Sequence, residues 1–191
     1  MRRIAILGTI LFCFTQTIKA DTLGVQLSDE SASFTYATEI FGGQYGPANF
    51  EAGGFFNEDD DMMFHLGLSV NNDSLDNPVN IGIGTRAYYA DVGNATGQTQ
   101  ADAAAITIGI ELLFIPDSFG GIGLGFHYYG APGVTSFLDA EAFTDYGVKL
   151  DYELSEQTSV LVGYRKIEVE LDNDVELEVN SSVYVGILLR F

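Results

Sequence analysis

The stretch Thr144-Asp145-Tyr146-Gly147-Val148-Lys149-Leu150-Asp151-Tyr152-Glu153-Leu154 carries the fold in its alternation. Tyr146, Val148, Leu150, Tyr152 and Leu154 are apolar, while Asp145, Gly147, Lys149, Asp151 and Glu153 between them are charged or small. Successive side chains of an extended chain point to opposite faces, so this reads as a strand with one oily and one wet face. The pattern recurs from Val79 to Tyr89, where Ile81, Ile83, Ala87 and Tyr89 alternate with Asn80, Gly82, Gly84, Arg86 and Tyr88. Ile106, Ile108, Ile110, Leu112 and Phe114 form another such set, as do Leu124, Phe126 and Tyr128, and Phe64, Leu66 and Leu68. No segment after residue 20 shows a helical apolar stripe or an apolar run long enough to cross a bilayer as a helix.

A half-buried soluble sheet also alternates, so periodicity alone does not name the solvent on the oily side. Three features point to lipid. The segments run about nine to eleven residues or more, the length at which a tilted strand crosses a bilayer, against about five or six for an ordinary strand. Their wet faces are rich in glycine and acids, which suits a lumen better than the bare face of a sandwich. The third feature is the end of the chain, where Val183, Val185, Ile187, Leu189 and Phe191 alternate with Tyr184, Gly186, Leu188 and Arg190. That ending resembles the insertion signal of bacterial outer-membrane barrels, read by their assembly machinery.

The other end supports export. Arg2 and Arg3 precede an apolar run from Ile4 to Phe14, and a short polar stretch closes on Ala20. This is the layout of a cleaved signal peptide over residues 1–20, leaving 21–191 as one mature domain. Cys13, the single cysteine, falls inside that leader, behind a bulky Phe12 that does not suit lipid attachment. Removing Arg2, Arg3 and Lys19 leaves 5 basic residues against 27 acidic ones, a net charge of −22. Such a surface repels a phosphate backbone and excludes nucleic acid as a partner. A mature chain without cysteine excludes disulfides and any cysteine-based zinc site, and suits an oxidising compartment.

Ten strands are expected, near 22–28, 32–41, 48–57, 61–70, 79–90, 103–114, 121–130, 142–154, 158–171 and 176–191. The fold class is therefore all-β, an antiparallel up-and-down transmembrane barrel of about ten strands, or eight if the first hairpin stays out of the wall. With Phe191 on the periplasmic side, the long connections 91–102 and 131–141 both fall outside, as such barrels require. Two places resist simple alternation. Between Val160 and Leu171 the apolar set changes phase, which a bulge near Arg165-Lys166 would reconcile. The stretch Phe50 to Phe56 carries aromatics on both faces.

The early hairpin Gly24-Val25-Gln26-Leu27 to Phe34-Thr35-Tyr36 and the acidic turn Asn57-Glu58-Asp59-Asp60-Asp61 are similar to those of the YfaZ family of small outer-membrane proteins. So are Phe126-His127-Tyr128-Tyr129, Gly163-Tyr164-Arg165 and the ending Tyr184-Val185-Gly186 to Phe191. The resemblance spans most of the mature chain. It implies location and architecture, and brings no catalytic residues with it.

Strand parity places Glu39, Glu51, Arg86, Glu111, Asp145, Lys149, Asp151, Glu168, Glu170 and Arg190 towards the lumen, with Arg165 among the few interior cations. Long side chains largely fill a barrel this narrow. The expected interior is an ion-paired plug, with a thin cation-preferring pore as the functional alternative. His65 and His127 are the only histidines. Either is a weak catalytic candidate at the outer rim, with Ser136 and Asp139 near enough in sequence to approach His127. Neither sits in a motif of a barrel enzyme, and no His-Glu-x-x-His, phosphate loop or dinucleotide fingerprint is present. The acidic stretches 58–61 and 172–174 lack the spacing of a calcium loop and read as solvated tips. Tyr36, Phe64, Tyr89, Phe114, Tyr128 and Tyr152 read as interfacial belts.

The expectation is thus a monomeric outer-membrane barrel with a mostly plugged lumen, no cofactor and no metal, its partners being outer-membrane lipid and the assembly machinery. The rivals are an outer-membrane enzyme acting on lipid or peptide through His127 or His65, and a secreted soluble β-sandwich.

Overall fold

The computed structural model describes residues 21–43, 46–72, 78–93, 100–116, 120–171 and 175–191. The expected signal peptide, 1–20, lies outside them, as does the acidic tip 172–174. Eleven strands form one sheet: β1 (Thr22–Leu27), β2 (Ser31–Gly43), β3 (Gly46–Asn57), β4 (Met62–Asn71), β5 (Val79–Gly93), β6 (Gln100–Phe114), β7 (Ile122–Ala131), β8 (Ser136–Leu138), β9 (Ala140–Ser155), β10 (Thr158–Leu171) and β11 (Val175–Arg190). Every pairing is antiparallel. Neighbours in sequence pair from β1 to β7, β7 pairs with β9, and β11 returns to β1 through Val25↔Ile187, which closes a ten-stranded barrel. The short β8 stands apart. It pairs with Ala103 to Ala105 of β6, beyond the point where β7 has left that strand.

The first hairpin is part of the wall, so the count is ten and not eight. Closure gives each of the ten wall strands a partner on both sides, the condition for crossing hydrocarbon with strands. Outward-facing apolar side chains form the band that alternation predicts: Leu66, Leu68, Ile81, Ile83, Ile108, Leu124, Leu150, Val185 and Ile187 are all exposed. Phe64, Tyr89 and Tyr128 mark its outer margin, and Phe114 and Tyr152 its inner one. The doubtful stretch resolves cleanly, with Phe55 buried inside and Phe56 exposed outside.

The phase change has a different cause from the one expected. β10 keeps a single parity, with Ser159, Leu161, Ile167, Val169 and Leu171 all buried inside. The register shift falls on its partner instead: Ile167 pairs with Asn180 and Glu168 with Glu178, leaving Val179 as the extra residue of β11. Beyond that bulge the barrel turns inside out. Its interior becomes an apolar core of Phe55, Met63, Ala90, Val92, Ala103, Phe143, Ile167, Val169, Leu177 and Val179. On β10 and β11 its exterior becomes charged, so Glu168 and Glu170 face outward and not into the lumen. Lys166 bridges Glu168 and Glu178 on that outer face.

Candidate functional site

The polar faces of seven strands meet inside the barrel, and a charge network crosses the lumen below the apolar core. Arg86 of β5 is its centre. Its guanidinium donates to Glu111 of β6 at 2.8 Å, approaches Glu51 of β3 at 3.1 Å, and lies 3.8 Å from Asp145 of β9. It also rests 3.9 Å above the ring of Tyr129, a favourable seat for a cation on an aromatic face. Asp145 is completely buried and is the second centre. Arg165 of β10 holds it bidentately, Nε to Oδ1 at 2.9 Å and Nη2 to Oδ2 at 2.7 Å. The Tyr88 hydroxyl donates to the same carboxylate at 2.7 Å. A buried carboxylate is costly unless its lone pairs are filled, and here both oxygens are.

The histidines complete the network. His65 Nε2 lies 2.7 Å from Glu51 Oε1, and His127 Nε2 lies 3.2 Å from Asp145 Oδ1. Tyr129 donates to Glu111 at 2.7 Å. Tyr88 joins this layer to the one above, its ring 4.5 Å from that of Phe143. The glycines of the wet faces now have a purpose. A Cβ on Gly53 would strike the His65 ring, one on Gly109 the Tyr129 ring, and one on Gly147 the His127 ring. At these three positions a ring lies flat across the wall because the neighbouring strand has no side chain there.

The structure therefore brings Glu51, Arg86, Glu111, Asp145 and Arg165 together with both histidines. The other residues read as lumenal lie elsewhere. Lys149 folds its methylenes over Gly125. Asp151 is buried beneath. Arg190 donates to Ser159 near the inner end at 2.9 Å. Glu39 stands low on β2. Ser136 does not approach His127: its hydroxyl turns back to the Pro132 carbonyl at 3.3 Å, and the Asp139 carboxylate accepts from the Asp102 amide at 3.2 Å. Sequence reasoning missed Tyr88 and Tyr129 as members. Their position on the wet parity was the available signal. Among the described residues no group of acids, histidines or cysteines is arranged to hold a metal ion. A small cavity remains on the opposite side of the lumen, lined by Gln26, Ser31, Ser33, Asn180, Ser182 and Tyr184, with Arg165 at its edge.

The chain matches the YfaZ precursor family over residues 7–191, nearly its whole length. It belongs to the YfaZ precursor family. Description of the family as a precursor agrees with an exported chain that loses a leader. No curated protein matches significantly. Among solved structures the chain is similar to the NanC porin, with 11% identity over 90% of this chain and 99% of that one at a TM-score of 0.48. The outer membrane channel DcaP of Acinetobacter baumannii matches with 10% identity over 88% of this chain and 54% of that one, at 0.43. Neisserial surface protein A matches with 13% identity over 90% and 94%, at 0.36. A closed barrel belted with exposed apolar side chains, in a family of exported precursors, is an integral outer-membrane protein embedded in lipid.

Proposed function

We propose that this YfaZ-family barrel is a sealed wall protein of the outer membrane, and that its surface rather than its lumen does its work. The observation behind this reading is the double closure. Arg86, Asp145 and Arg165 tie β3, β5, β6, β9 and β10 across the lumen. Directly above them Phe55, Met63, Phe143, Ile167 and Val169 fill the outer third with apolar side chains. An ion entering from outside would have to desolvate within that core before it reached any charge. Neither histidine is proposed as catalytic, because each imidazole nitrogen in reach of a partner is turned onto a carboxylate and the Ser136 hydroxyl is turned back onto Pro132 of its own connection. The terminal strand, with Val183, Val185, Ile187, Leu189 and Phe191 all exposed on one face, is the segment we assign to the assembly machinery. The ring of ten wall strands, each paired on both sides, supports a monomer.

Planar-bilayer recording tests the seal. The native barrel is expected to give no unitary steps, whereas Arg86→Ala with Ile167→Gly should admit cation-biased steps, since carboxylates outnumber guanidiniums in the network. Heat-modifiable migration on a gel confirms that the variant has inserted and folded. Regular steps from the native protein would overturn the sealed reading. They would favour the narrow cation-preferring channel, for which the small, mostly hydroxyl- and amide-lined cavity on the inner faces of β1, β2 and β11 is the one supporting observation.

A further inference from the structure

The segment between β7 and β9 has a use that the barrel wall does not require. Val134 is 86% exposed, Leu138 59% and Phe137 48%, three large apolar side chains within five residues of an outer connection. The segment is well held. A 3-10 turn, Gly133–Thr135, is closed by the Thr135 amide on the Pro132 carbonyl at 2.9 Å. β8 then pairs Ser136 with Ala105, Phe137 with Ala104 and Leu138 with Ala103. Ser136 turns inward and is buried. Leu138 shares its parity and would follow it into the core, yet its backbone takes φ +65°, and the side chain points out. A left-handed leucine costs roughly 1–2 kcal/mol, and such strain persists where the surroundings impose it. Here it keeps a leucine out of an apolar interior, the reverse of what folding alone favours.

We infer that the segment Pro132–Leu138 is a lipid hook, seated among the acyl chains at the edge of the outer leaflet. This rests on the outer-membrane reading above. The occupant is fixed by continuity with the belt. Phe137 stands beside Ala104 on the outward face, Ala104 pairs with Tyr89, and Ile106 and Ile108 follow directly below, 49% and 76% exposed. The opposite wall differs. On β10 and β11 the apolar face ends at Tyr164 and Val183, and Lys166, Ser181, Glu168 and Glu178 come next. The belt is therefore taller on the β6–β8 side, and the hook extends it further. Asp102 and Asp139 lie one step further out and mark where the polar region begins.

The chain has no tryptophan, so a single introduced indole reports its own surroundings. Val134→Trp, Ile108→Trp and Glu58→Trp, each refolded into vesicles containing phosphatidylcholine with brominated acyl chains, provide the test. Ile108→Trp is the belt control, and Glu58→Trp reports a solvated outer turn. Val134→Trp is expected to emit to the blue of Glu58→Trp and to be quenched at least half as strongly as Ile108→Trp. Quenching of Val134→Trp no greater than that of Glu58→Trp, with Ile108→Trp quenched, would overturn the hook and leave the barrel in lipid intact. If Ile108→Trp is itself unquenched, the membrane reading fails first. Blue emission of Val134→Trp that depends on protein concentration but not on bromine would mean a second copy covers the patch, which also overturns the hook.

Discussion

The barrel is two proteins stacked end to end, and the two obey opposite rules. In the lower part Val185 and Ile187 face out while Arg86 and Asp145 face in; in the upper part Glu170 and Glu176 face out while Ile167 and Val169 face in. The backbone is the same continuous antiparallel ladder throughout. What changes along β10 and β11 is the solvent outside, hydrocarbon below and water above, and the side chains there have exchanged faces to suit. The lower interior meets the cost of charge with paired hydrogen bonds, and the upper interior is packed like that of a soluble protein. The exchange is made on β11 by one residue, Val179, whose bulge lets apolar odd-numbered positions face inward above and outward below.

Deleting Val179 is the severest way to break that arrangement. Without it, strand parity turns Leu177 outward and Glu176 and Glu178 inward, because a one-residue slip exchanges every face beyond it. The deletion variant is expected to lose the heat-modifiable band altogether, and a folded variant of native thermal stability would show that the bulge is dispensable. A pair of substitutions asks the same question more gently. Val185→Arg puts a cation on the lipid face of β11 and should cost about 2–4 kcal/mol in reversible denaturant titrations in lipid vesicles. Glu170→Arg makes the same change on the outward face of the upper part. There it should stay within about 0.5 kcal/mol, on the stabilising side, since Glu170 stands directly opposite Glu176. Equal costs at the two positions would place both faces in the same solvent and remove the distinction.

The lower part was legible in the sequence because lipid enforces a strict period of two, visible in Ile106, Ile108 and Ile110 without knowledge of any partner strand. The upper part was misread for the same reason. Glu168 and Glu170 alternate with Val169 and Leu171 as regularly as any lipid-facing set, and alternation says which residues share a face, not which solvent that face meets. Assigning them to the lumen assumed that the bilayer continued to the strand end. The phase change between Val162 and Ile167 was the true mark of its limit. On the sequence alone it reads as a bulge in β10, whereas that strand is regular and the bulge is across the ladder. Membership of the network was half legible. Parity picked out Glu51, Arg86, Glu111 and Asp145, but which of them touch depends on distances across the lumen that no single strand encodes.

The smallest expected effect lies at the top of the upper part, where the Asn57–Asp61 turn joins β3 to β4. Asp61 is 3% exposed, and its carboxylate accepts from the Gly93 amide at 2.6 Å and from Asn57 Nδ2 at 2.8 Å. Burial pushes its carboxyl above the ordinary aspartate range, helped by Asp59 and Asp91 nearby, and outweighs those two hydrogen bonds. The folded protein therefore takes up this proton at a higher pH than the unfolded chain does. As pH falls through the raised value, Asp61 adds stability, and the gain stops growing once the unfolded aspartate also protonates, near about 3.9. Asp61→Asn removes the titration, so the difference in denaturation midpoint between native and variant should drift over that window and be flat at neutral pH and above. A flat difference across the whole range would mean that the turn opens readily to water, and that the soluble-like packing of the upper part stops short of the turns that cap it.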